Sequence, residues 1–501
     1  MRDLINIILI MRLLSLLAIN KMIIKRLLNV IAILFLTLLF FSCQEGKNLN
    51  NESDDVIQLE YPEAYELANI ILAWTEHGKT DVNEVQKGFD YYNKMQEYFK
   101  PVSKHPILDS VNYSRERWKD YLSFRTDSYA FEFDKNGQLR RKFNFYTNKG
   151  FQPFDDHLDL INDFVQKSKF RAFFKKHQEY RTGLLEEYKK TQYLNEMREF
   201  LTDEFGEQFS NNQKYNIVMS PFVGRMNTHR NIDSMITADF ITIPDYIVLD
   251  TVSVEKKELA SSIHMLLTEM DHGYVDPTTI EYDELVTNNF DASLWDNKSG
   301  YNKNGGFGVF NEYMTWAVYD IFLKKYFPEF SNELGLYWSF VNDSCGFPYA
   351  HLFTQQLLTF YEQKEDDETL KDLYPKMLDW TAKIQKNLSK PEIVIPKDSI
   401  LVNFSENTKI TITFSESMRQ NDTITTIFHD GMGSREFIDL TNSDNNLKWT
   451  NNGETVEFNF GLPDYSTVCF FQFNVGGTRY PLISEKGVLV KAFKHFKVVD
   501  Q

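Results

Sequence analysis

The stretch Ile263-His264-Met265-Leu266-Leu267-Thr268-Glu269-Met270-Asp271-His272 carries an incomplete metal-binding pattern. With histidine in place of Thr268 it would read His-Glu-x-x-His, in which two imidazoles one helical turn apart hold zinc and the glutamate between acts as general base. Leu259, Ile263, Leu266, Leu267 and Met270 share one helical face, so the spacing predicts a helix over 255–271, stopped by Gly273 with Pro277 beyond. On such a helix positions 268 and 272 point the same way. Glu269 is then the candidate general base and His272 a candidate zinc ligand, while Thr268 replaces the first ligand. A neutral hydroxyl neither competes with imidazole for zinc nor supplies charge.

The neighbourhood offers no local substitute. His264 lies two turns before His272, roughly 12 Å along the axis, too far for one ion. Asp271 points elsewhere on the helical wheel, and His229, in Arg225-Met226-Asn227-Thr228-His229-Arg230, reaches the site only through tertiary folding. A further ligand has a candidate in Glu312, in the first turn of a second amphipathic helix predicted to begin at Asn311. Between them, residues 297–308 hold Gly300, Gly305, Gly306 and Gly308, which predicts a mobile loop rimming a cleft.

Plainer readings stand beside these. A glutamate at a helix start is favoured by the helix dipole, and His272 at a helix end would be favoured by the opposite pole. Met265, Met270 and Met314 read as core fillers. Tyr274, Trp295, Tyr301 and Trp316 suit either a sugar- or peptide-binding cleft or a core.

The N-terminus places this chemistry. Lys25 and Arg26 precede an apolar run to Phe41, then Ser42 and Cys43, the order of a signal peptide ending at a lipid-modified cysteine. Residues 1–43 are therefore expected to be a lipoprotein signal, with Met22 the better start; a single anchoring helix is the alternative. Residues 44–58 read as a polar tether. The 501-residue chain is 42% hydrophobic and 15% aromatic, enough for more than one core, and its net charge of −17 argues against nucleic acid. Beyond Cys43 only Cys345 and Cys469 remain, too few for a disulfide framework.

Residues 59–388 are mainly helical: Leu67, Ile70, Ile71 and Trp74, then Leu158, Ile161 and Phe164, keep a helical period. Alternation around Asn136-Gly137 predicts a hairpin with a tight turn, and Tyr215 to Met219 with Ile241 to Leu249 predict a strand pair ahead of the site helix. From 391 to 501, short β-rich runs separated by Asn, Asp and Gly predict an all-β sandwich without catalytic residues. The fold class expected is α+β.

The run from Leu266 to Pro277 resembles the H-E-x-x-H-x-x-V-x-P segment of envelope proteins catalogued as domain of unknown function 4932, which are gluzincin-like. Tyr98-Phe99-Lys100-Pro101 with His105-Pro106, and Glu312 with the helix behind it, are similar to other landmarks of that family, over roughly residues 60–385. Phe414-Ser415-Glu416-Ser417-Met418 resembles a segment of bacterial Ig-like modules. The resemblance implies a zinc metallopeptidase fold with Glu312 as the later glutamate ligand; Thr268 is the departure from it. The function expected is that of a cell-envelope lipoprotein, anchored to a bacterial membrane at Cys43 with its body periplasmic or surface-exposed. Its metallopeptidase-like domain would bind zinc weakly or not at all, bind peptide, glycan or an envelope protein, and be non-catalytic or weakly active. The alternative is an active zinc-dependent peptidase with Glu269 as general base.

Overall fold

A computed structural model describes residues 57–499 apart from 82, 149, 209–213, 225, 234–235, 250–253, 297–298, 300–304, 396–399, 403–407, 430–434, 461–467 and 491–495. The expected signal peptide, Cys43 and nearly all of the expected tether lie outside the described residues. The tether reading overlaps the structure at its end, where Ile57 and Gln58 already belong to strand β1 (Ile57–Glu60).

The chain is of α+β class. Helix α1 (Glu63–Trp74) is buried on every side, as its apolar composition requires. Helix α2 (Glu76–Thr80) follows it, capped by the Thr75 hydroxyl. The predicted hairpin forms from β2 (Phe131–Phe133) and β3 (Leu139–Arg141). Its turn is longer than a two-residue one, because Asp134 Oδ1 accepts the backbone N–H groups of Asn136 and Gln138 and organises the whole of 134–138.

A four-stranded sheet runs β1, β4 (Lys214–Met219), β6 (Ile236–Ile241), β5 (Thr228–Asn231). β1, β4 and β6 are parallel; β5 is antiparallel to β6 and forms an edge. β4 and β6 are buried along almost their whole length, as parallel strands covered on both faces must be. The expected strand over 241–249 is corrected here. β6 ends at Ile241, Pro244 caps a short helix over Asp245–Val248, and the Pro244 carbonyl accepts the N–H groups of Ile247 and Val248.

Helix α3 (Lys256–Met270) packs on β5 and β6 and carries the opening motif. Gly273 and Pro277 do not end the helical segment as expected. The ladder is interrupted at Asp271, and α4 (His272–Glu281) begins at once with Gly273 and Pro277 inside it. His272 therefore opens a helix, and the reading that set it against a C-terminal dipole fails.

Helix α5 (Gly305–Tyr326) corrects a second expectation. Gly305, at φ +67°, starts it, and Gly306 and Gly308 are helical rather than parts of a loop. A Cβ on Gly306 would lie 3.2 Å from the Phe290 carbonyl and 3.3 Å from Val286, so this glycine lets α5 press on the helix Asp283–Asn289. Glu312 consequently sits two turns inside α5, and the dipole explanation for it falls away. The next helix, α6 (Ser331–Ser344), packs on α5.

After residue 390 the chain is β-rich. Strands β7 (Ile393–Ile395), β8 (Ile400–Val402), β9 (Thr408–Phe414), β10 (Thr423–His429), β11 (Arg435–Thr441), β12 (Lys448–Thr450), β13 (Thr455–Phe460), β14 (Val468–Phe473) and β15 (Phe496–Val499) form two sheets. One runs β12-β13-β9-β7 and the other β11-β10-β14-β15-β8. Ile410, Ile412 and Phe458 from the first share a core with Ile424, Leu440 and Phe473 from the second. Phe340 of α6 packs against Ile483 and Leu489, and Lys390 Nζ reaches Asp343 at 2.7 Å, joining this part to the helices.

Candidate active site

Glu269, His272 and Glu312 are brought to one place, where the end of α3, the start of α4 and α5 come together beside His229 of β5. Thr268 is buried and its hydroxyl donates back to the His264 carbonyl at 2.7 Å, the usual way a mid-helix threonine satisfies itself. His272 Nε2 stands 4.0 Å from Glu312 Oε1, with both side chains mostly covered. Its other nitrogen, Nδ1, is 2.9 Å from Asp276 Oδ1, one turn on in α4. Asn311 of α5 donates to the same Asp276 oxygen at 2.6 Å, so the imidazole is held in orientation from two helices.

His229 enters this site through the sheet. In the β5–β6 ladder it lies directly opposite Asp239, and cross-strand partners share a face. His229 Nδ1 is 2.7 Å from Asp239 Oδ1, and Tyr215 of β4 donates to the other Asp239 oxygen. His229 Nε2 is buried and makes no hydrogen bond, and the His229 ring lies 6.2 Å from that of His272, centroid to centroid. Each of the two histidines thus has Nδ1 fixed by an aspartate, the arrangement that orients metal-binding imidazoles. Sequence reasoning placed His229 outside the motif because its route to the site runs through the pairing of β5 with β6.

The electrostatics follow from burial. Burial pushes the Glu269 carboxyl up against the lowering pull of His272, Arg230 and a hydrogen bond from the His229 backbone N–H. Burial also lifts Glu312, to about 7, although His272 opposes it. His229 is pushed down to about 3 by burial and the neighbouring His272, so its imidazole is neutral. Burial would lower His272 too, but its bond to Asp276 and the charges of Glu312, Asp276 and Glu269 outweigh it and raise the imidazole well above its ordinary value. Asp239 and Asp271 are both pushed well up by burial, and neither Asp271 oxygen makes a hydrogen bond.

The remaining candidates have structural places. His264 is buried, stacked at 3.5 Å on Trp338 and edge-on to Tyr319. Tyr274 and Trp295 are core residues, as are Met270 and Met314. Trp316 is half-buried, and Tyr301 lies outside the described residues. His105 caps the helix Pro106–Ser110 and binds Asp163 at 2.9 Å, while Phe99 is in the core. Among the described residues, one group alone brings three ligating atoms within 4.8 Å of one another, and it is not this one: it is His77, Asp81 and Glu84.

No family model matches the chain. No curated protein matches it either. Among solved structures, the crystal structure of the S-layer protein rSbsC(31-844) aligns with 87% of this chain and 44% of its own length, at 10% identity and a TM-score of 0.16. That similarity is too low to relate the two folds.

Proposed function

We propose that the cluster of His229, Glu269, His272 and Glu312, where β5, α3, α4 and α5 come together, is a metallopeptidase-like site in which His229 takes the ligand role that Thr268 cannot fill. The observation that carries this reading is the pair of aspartate-anchored imidazoles, one with a buried nitrogen that has no partner, beside Glu312. His229, His272 and Glu312 have the donor types of a catalytic zinc site, two nitrogens and one carboxylate. A bound divalent ion would supply polarisation of a carbonyl and acidification of water. Glu269, held partly out of water beside the two histidines, would take the proton of the attacking water and return it to the leaving amine. Asp239 and Asp276 would hold the Nδ1 protons, leaving both Nε2 atoms as donors to the ion.

A second reading, a peptide-binding cleft without catalysis, is favoured by a different observation. Without an ion, His272 is an imidazolium compensated by Asp276 and Glu312, and no third ligating atom of the described residues completes the pair within 4.8 Å. The strand orders β12-β13-β9-β7 and β11-β10-β14-β15-β8 support an Ig-like module for residues 391–501, since they match an A-B-E-D sheet facing a C-F-G sheet with added edge strands. The lipoprotein reading rests on the charged, apolar and cysteine order before residue 44. Among the described residues no helix is long and apolar enough to cross a membrane.

Zinc analysis of the soluble body, residues 57–501, separates the two readings. The first expects zinc that is lost in both His229→Ala and His272→Ala, and peptide hydrolysis lost in Glu269→Gln with zinc retained. Zinc at this site only after Thr268→His, with none lost on His229→Ala, would establish the non-catalytic reading.

A further inference from the structure

We propose a second divalent-cation site, formed by His77, Asp81 and Glu84 beside α2, that acts as a structural clamp away from the cleft. His77 Nε2 is 3.0 Å from Glu84 Oε2 and 3.8 Å from Asp81 Oδ2. Ligands that share one zinc ion at about 2.0–2.2 Å stand about 3–3.6 Å apart, so His77 and Glu84 already have the spacing of a common coordination shell and Asp81 Oδ2, at 3.8 Å, lies just outside it.

Glu84 provides the independent sign of a ligand. Its side chain is 4% exposed, yet Oε2 makes no hydrogen bond, and neither does His77 Nε2, although the two atoms are within reach. The carboxylate oxygen therefore stands off the direction in which a ring N–H would point. That is where a second ligand on a shared ion stands, whereas an ion-pair acceptor lies along the N–H. A buried carboxylate oxygen that has an ion-pair partner but no well-directed hydrogen bond is costly unless a cation completes its surroundings.

The remaining groups are fixed as a coordination sphere needs them. Asp81 Oδ1 accepts the backbone N–H groups of Asn83 at 2.6 Å and Glu84 at 3.1 Å, which leaves Oδ2 turned toward His77. The backbone of His77 is tied to Asn112 Oδ1 at 2.8 Å, and the Glu84 carbonyl accepts the Gly224 N–H and the Tyr121 hydroxyl. One imidazole and two carboxylates suit zinc or manganese. The competing arrangement is a plain ion-pair cluster, in which His77 and the nearby Arg115 compensate the two carboxylates.

The clamp would act on the segment that leads into β5. Val85 bridges Val223, Gln86 N–H donates to the Phe222 carbonyl, and Gly224 lies against Asn83. An ion joining α2 to residues 81–84 would hold this connection in place.

Zinc alone, and manganese in a parallel titration, can be added to the soluble body carrying His272→Ala, which removes the cleft's contribution. The expected result is one equivalent of zinc or manganese bound and a raised midpoint of thermal unfolding. Both should be weakened more than tenfold when His77→Gln is added. His77→Gln is a partly exposed, size-conserving change; Glu84→Gln is a second variant expected to act alike. Cobalt in place of zinc should show a spectrum that His77→Gln abolishes. Absence of binding by the His272→Ala protein, or binding and unfolding unchanged by His77→Gln, would overturn the proposal and leave an ion-pair cluster.

Discussion

His229 on β5 and His272 at the head of α4 face one another with ring centroids 6.2 Å apart, each held through Nδ1 by its own aspartate, at 2.7 and 2.9 Å. The first aspartate comes from the adjacent strand and the second from the next helical turn. A sheet and a helix thus each contribute one aspartate-anchored imidazole to the same place.

Asp239→Asn tests that relationship without removing a ligand. The amide keeps the shape of the buried side chain but cannot act as the carboxylate partner of His229 Nδ1. Loss of such an outer partner lowers metal affinity about 10- to 100-fold. A zinc titration of the soluble body should show a fall of that size, and an unchanged affinity would remove His229 from the site.

Glu66 gives a pH dependence unrelated to the cleft. It is fully buried in α1, where it accepts the Tyr91 hydroxyl at 3.0 Å and the Ser220 hydroxyl at 2.5 Å. Burial lifts its carboxyl from 4.5 to about 7 against those hydrogen bonds. The folded state therefore holds this proton more tightly than the unfolded chain. Its contribution is fully present below pH 4.5 and is lost as pH rises through about 7. At about 1.4 kcal/mol per pH unit, the loss is on the order of 3 kcal/mol. Urea unfolding of Glu66→Gln between pH 4.5 and 8 should lack this component; an identical pH profile would refute it.

Gly224→Ala should destabilise the protein. A Cβ there would lie 2.1 Å from the Asn83 carbonyl oxygen, and that obstacle is backbone, which cannot rotate away. A loss of about 1–3 kcal/mol is expected from overpacking, seen as a lower urea midpoint.

Gly183→Ala should do the reverse. Gly183 is exposed inside the helix Gln178–Thr191, and nothing lies within 4 Å of its Cβ position. Alanine should raise stability by about 0.5–1 kcal/mol through helix propensity alone. The two substitutions in one set of unfolding curves distinguish glycines kept for space from glycines that are dispensable.

What was legible in the sequence was what depends on local period. The apolar stripe of α3 and the β-rich runs after residue 390 were read directly, because side-chain periodicity reports burial. The glycines at 305–308 misled, since glycine marks a loop by propensity but here marks a close helix contact at Gly306. β5 was missed because Thr228-His229-Arg230-Asn231 has no alternation, and its geometry is set by pairing with β6. The same holds for His77, Asp81 and Glu84: no apolar pattern points to them, and it is tertiary contacts, such as those of Gly224 and Tyr121 with the Glu84 carbonyl, that show why that loop is fixed.

The edge position of β5 in the sheet has one more effect. An unpaired strand edge invites the same strand of another molecule, and long flat edges polymerise. At four residues, with Arg230 on it, β5 is too short and too charged to template such growth. β5 can therefore close the sheet without becoming a building block for the protein's own aggregation, the more so because the His229 backbone N–H and carbonyl are already engaged by Glu269 and Arg230.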